Sequence, residues 1–156
     1  MSTPTFAPHG DPQVFAARLG ALPETAAFVR GFCERHAIRH DVGLRLTLIL
    51  EELVTNTVTH GHGGDSDATI CIALTAEPEA VAVFYEDAAP RFDPRPQLDA
   101  APGCQDLPLD SRPVGGLGLS IVGRFVTSGR YAHEEGRNRL WLAVPLVHDA
   151  GPAGRS

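Results

Sequence analysis

Apolar and polar residues alternate with two different periods along this chain, and the strongest pattern lies in LRLTLILEELVTNTVTHGH, residues 44–62. Val42, Leu46, Ile49 and Leu53 recur at helical spacing, and steps of three and four carry the same stripe on to Asn56 and His60. A second helix is predicted over residues 22–37, where Pro23 suits the first turn and Ala26, Val29, Phe32 and Cys33 form the apolar face. Asp41 is the expected N-cap of the central helix, and Gly61, Gly63 and Gly64 end it.

Strand-like runs flank these helices. Residues 14–19 read as a first strand, and residues 68–76 and 80–86 as a hairpin turning at Glu77, Pro78 and Glu79. Residues 130–133 and 140–147 form a last hairpin turning near 135–138, preceded by a third helix over residues 117–126. Between residues 87 and 114, six prolines break every period. A loop of that length inside a compact domain is usually functional or disordered. Residues 1–11 read as a flexible arm and residues 148–156 as a flexible tail, leaving one domain over residues 12–147. Helices grouped with mostly consecutive strands predict an α+β two-layer sandwich: a mixed, largely antiparallel sheet with three helices on one face.

Composition narrows the function. The formal charge is −6 and all 13 basic side chains are Arg, with no basic cluster, so direct nucleic-acid binding is not expected. Cys33, Cys71 and Cys104 are widely spaced and read as free thiols. The first residues lack a secretory pattern and no apolar run reaches membrane-spanning length, so the expected location is the cytoplasm.

The chemistry begins on the central helix. Glu52 and Asn56 are one turn apart, so a carboxylate and a carboxamide project from one face of an apolar helix. Burying them costs free energy unless a cation, a phosphate or a hydroxyl satisfies them; alone, the pair reads rather as a polar helix edge, with Glu52 in water and Asn56 hydrogen-bonded inside. Asp87 closes an alternating apolar run and alone would be a strand end starting a turn. Gly115, Gly116 and Gly118, within VGGLGLSI, let backbone approach a polyphosphate, and alone would be mere capping. His60 and His62 lack a further nearby ligand, and a helix-end or solvent role is expected over zinc.

Together, in this order and spacing, the three stretches resemble the N, G1 and G2 boxes of the GHKL ATP-binding fold, specifically its anti-sigma-factor serine/threonine kinase branch. The resemblance covers roughly residues 14–147. It implies that Asn56 binds Mg²⁺, that Glu52 is the general base, and that Asp87 accepts a hydrogen bond from the adenine amino group. Glu51 keeps a structural role. Phe92, Asp93 and Pro94 match a Phe-Asp-Pro that commonly follows the second box. Residues 115–119, Gly115, Gly116, Leu117, Gly118 and Leu119, would cradle phosphates beneath a lid over about residues 88–114, with Arg112 reaching a phosphate or a partner. One departure stands out: the family usually has Gly where this chain has Ala89. If that backbone needs positive φ, Ala costs about 1 kcal/mol and weakens nucleotide binding.

The implied activity is phosphorylation of a STAS-domain antagonist with Mg-ATP. Release and capture of a sigma factor or other effector would follow, from a homodimer. Two alternatives stay open: a non-catalytic protein-capture module of the same fold that uses nucleotide only to set its shape, with Ala89 in its favour, and a structural α+β domain.

Overall fold

The computed structural model describes residues 11–98 and 122–147. The elements run β1 (Gln13–Ala16), α1 (Leu22–His36), α2 (His40–Asn56), β2 (Thr69–Ala76), β3 (Ala80–Asp87), α3 (Arg95–Leu98), β4 (Ser128–Glu134) and β5 (Arg137–Pro145). The strands form a five-stranded sheet in the order β1-β2-β3-β5-β4, and every pairing among the described residues is antiparallel. The fold is α+β, as the pattern predicts. No parallel pair occurs among the described residues, so the expected mixed character is not seen there.

Alternation along the strands divides the sheet into two faces. Ile70, Ile72, Leu74, Val81, Val83, Leu140, Leu142 and Val144 are buried in one cluster with Val29 and Phe32 of α1 and Val42, Leu46, Ile49, Leu50 and Leu53 of α2. Both long helices therefore lie on the same face. Of the expected third helix, residues 117–121 lie outside the described residues; Val122 is fully buried in the core and Gly123–Phe125 form a 3-10 turn. The opposite face carries Cys71, Ala73, Phe84, Glu86, Arg139 and Trp141; Phe84 and Trp141 rings lie 5.5 Å apart and Arg139 Nε donates to Glu86 at 2.7 Å. Cys33 and Cys71 are free thiols.

Three local expectations are corrected. Asp41 does not cap α2. The N-cap is Arg39 with no side-chain cap bond, and Asp41 sits in the first turn, paired with Arg39 at 3.1 Å and Arg45 at 3.4 Å. The stripe of α2 does not run on to His60. After Asn56 the helix widens into a π turn, Thr57–Gly61, closed by His62 N–H on Thr57 O at 2.9 Å. Extra residues per turn rotate the face, so Thr57 and Val58 are buried and His60 is exposed. The last hairpin turns on Glu135 and Gly136 alone, with φ of 56° and 75°. Two left-handed residues match the twist of the strands, and so tight a turn leaves Asn138 inside β5.

Candidate nucleotide site

The register of the sheet sets Asp87, the last residue of β3, directly opposite Asn138 of β5. Both are only 7% exposed. A carboxylate at that depth must be satisfied, and three donors reach it. Asn138 Nδ2 donates to Oδ1 at 2.8 Å, the Ala89 amide to Oδ1 at 3.1 Å, and Thr57 Oγ1 to Oδ2 at 2.7 Å.

Thr57 belongs to a short relay. Its hydroxyl lies 2.6 Å from Tyr85 OH and 2.9 Å from Leu53 O, and Tyr85 OH reaches Leu53 O at 3.2 Å. Thr57 has one proton to give; spent on Asp87, it leaves the Tyr85 proton for Thr57 or for Leu53 O. Burial, and secondarily the Asp87 charge, push the Tyr85 phenol well above its ordinary value, while the Thr57 hydrogen bond pulls the other way. Tyr85 therefore stays protonated as a donor. Thr57 directly follows Asn56, so the end of α2 that carries Glu52 and Asn56 is fastened to the end of β3.

Glu52 and Asn56 are half-buried on consecutive turns of α2. Asn56 Nδ2 is buried and has no hydrogen-bond partner among the described residues. An orphaned donor costs roughly 1–3 kcal/mol, and phosphate oxygen is the kind of acceptor that would relieve it. The same carboxamide offers a hard oxygen of the type Mg²⁺ takes. Among the described residues no three His, Cys, Asp or Glu side chains converge to hold a metal.

The chain beyond Asp87 wraps around Asn138. Nδ2 also donates to Ala89 O and Pro90 O, both at 3.0 Å, while Oδ1 accepts the Phe92 amide at 3.0 Å and the Tyr131 hydroxyl. Phe92 is held through its backbone, and the residue is 46% exposed. Asp93 starts α3: its Oδ1 accepts the Arg95 amide at 2.9 Å and its carboxylate pairs with the Arg95 guanidinium at 2.8 Å. The Arg95 hydrogen bond, ahead of other causes, holds the Asp93 carboxyl below its usual range.

The expected strain at Ala89 does not arise. Among the described residues, Ala37 and Glu135 are the non-glycine residues with positive φ. Ala89 is in ordinary backbone and is buried at 4% exposure. Residues Arg112, Gly115, Gly116, Leu117, Gly118 and Leu119 lie outside the described residues.

Residues 15–144 match the family model described as the histidine kinase-like ATPase domain. The chain belongs to that family. The match spans both ends of the sheet and includes every described residue of the site. A comparison with curated proteins finds no match. Membership implies ATP binding. No helix among the described residues is long and apolar enough to cross a membrane.

Thr57, Tyr85 and Asn138 were not foreseen from sequence. Tyr85 carries a weak signal, a hydroxyl on the core face of β3 two residues before Asp87. Thr57 carries only its adjacency to Asn56. Asn138 looks like a turn residue until the turn is known to close at Gly136.

Proposed function

We propose that the protein is a serine/threonine kinase of the anti-sigma-factor type, using Mg-ATP to phosphorylate a STAS-domain antagonist in a partner-switching system. The observation that carries this reading is the 2.7 Å bond from Thr57 to Asp87, which ties the helix turn bearing Glu52 and Asn56 to the acceptor for the base. Glu52 has no hydrogen bond or ion pair among the described residues, so its carboxylate is free to take a proton. In the transfer, the substrate hydroxyl oxygen forms a bond to the γ-phosphorus, the bond from that phosphorus to the bridging oxygen breaks, and ADP departs. Glu52 accepts the hydroxyl proton. Mg²⁺, when bound, neutralises charge on the phosphates, and Asn56 would hold it. Asp87 accepts from the adenine amino group, and Phe92, Ala89, Arg112 and residues 115–119 complete the nucleotide contacts.

Under this reading the unphosphorylated antagonist binds the kinase, and the phosphorylated one leaves it free to sequester a sigma factor or other effector, as a homodimer. The unstrained backbone at Ala89 removes the main argument for a purely non-catalytic capture module. Calorimetric titration with ATP and ADP, each with and without Mg²⁺, tests the site. Expected are Mg²⁺-enhanced binding and, with a STAS-domain protein from the same organism, phosphotransfer lost in Glu52→Ala at nearly unchanged ATP affinity. Full activity in Glu52→Ala would remove it from the mechanism, and binding of neither nucleotide would sink the reading.

A further inference from the structure

The hydrogen bonds around Asn138 are complete. Its Nδ2 faces three acceptors, Asp87 Oδ1, Ala89 O and Pro90 O, and its Oδ1 faces two donors, the Phe92 amide and the Tyr131 hydroxyl. Rotating the carboxamide by half a turn would set oxygen against three oxygens and N–H against two donors, so its orientation is fixed. The count at Asp87 then follows. Among the described residues Oδ1 holds two donors and is full, and Oδ2 holds Thr57 alone. A carboxylate oxygen accepts about two hydrogen bonds, so one acceptor position remains, on Oδ2.

We propose that Asn138 is the positioning residue that sets base selectivity at this site: by filling Asp87 Oδ1 and clamping residues 89–92 to β5, it leaves a single acceptor position that takes an exocyclic amino group and repels a carbonyl. This rests on the nucleotide reading above. The selectivity arises because a ligand with an oxo group there would meet an acceptor with no proton to share, and a site built for an N–H donor rejects an analogue lacking it strongly. Asn138 makes no bond to the reacting atoms. It acts through Asp87 and through the course of the loop.

The test compares ATP with inosine triphosphate, which has a 6-oxo group in place of the 6-amino group, by calorimetry on the full chain. Wild type should prefer ATP. Asn138→Asp is nearly isosteric but places carboxylate oxygens against Asp87 Oδ1, Ala89 O and Pro90 O; the ATP-to-inosine-triphosphate affinity ratio should fall about tenfold or more. Asn138→Thr keeps one hydroxyl donor and suits a strand, so its ratio should fall less, and it decides the matter alone if Asn138→Asp does not fold. A purely structural role would weaken both nucleotides equally and leave the ratio unchanged, overturning the proposal. Wild type that binds ATP without preferring it would overturn it as well. Wild type that binds no ATP would instead take down the functional reading on which this one rests.

Discussion

The methyl group of Ala89 occupies the space that a side chain at residue 61 would need: a Cβ placed on Gly61 falls 2.7 Å from the Ala89 Cβ. Gly61 ends the π turn after Asn56, and Ala89 lies in the loop after Asp87, so the two halves of the site touch through one alanine and one glycine. Gly61→Ala should cost about 1–3 kcal/mol through overpacking. Ala89→Gly in the same chain should recover most of that loss, because Gly61 has no positive φ and tolerates a side chain once the space is open. A double-mutant cycle by urea unfolding reads the coupling; additive effects would mean the loop simply moves aside.

If Asn56 holds the nucleotide's cation as proposed, it exchanges stability for binding. Its buried Nδ2 has no partner among the described residues, so Asn56→Leu, of similar shape, should leave the melting temperature of the nucleotide-free protein unchanged or raise it. The same change should abolish the Mg²⁺-dependent part of ATP binding. Melting curves and titrations on one preparation check both halves. A variant that melts markedly lower would show that Asn56 is held by the fold rather than kept for a ligand.

Gly123 lies against the backbone of the short helix α3. A Cβ there would stand 1.9 Å from Leu98 O and 2.7 Å from Leu98 C, so even alanine forces the backbone apart. Gly123→Ala should destabilise by roughly 1–3 kcal/mol. Because Leu98 follows the loop that Asp93 and Asn138 anchor, ATP affinity should fall too. Chemical unfolding and calorimetry report the two effects, and an unchanged unfolding midpoint would contradict the contact.

Alkaline pH should lower the stability of the protein. Burial raises Cys33 and Cys71 above their ordinary 9.0, and raises Tyr85 well above 10.0. In each case the folded state holds the proton more tightly than the unfolded state. The stability they contribute is therefore complete below the unfolded values and is lost as pH rises, from about 9 for the thiols and from about 10 for Tyr85. In Tyr85→Phe the decline above pH 10 should be shallower than in wild type, measured as unfolding free energy between pH 8 and pH 11. An equally steep decline in both would place the titrating group elsewhere.

Sequence periodicity determined the α+β class, both long helices and the course of most strands, and the resemblance of three stretches to family boxes pointed to Glu52 with Asn56 and to Asp87. Those features are local: a stripe of apolar residues, an alternating run, a proline, a glycine pair, each readable within one or two turns or a single strand. What joins the poles is not local. Thr57 meets Asp87 only because a π turn rotates the end of α2, and Asn138 meets Asp87 only because a two-residue turn fixes the register of β5, 51 residues away along the chain. Ala89, a departure when read against the family pattern, fits because Gly61 leaves room for its methyl group. Hydrogen-bond complementarity and close packing between distant segments are properties of three-dimensional placement, so the tertiary structure alone decided which polar residues satisfy the buried carboxylate and which acceptor position is left for a ligand.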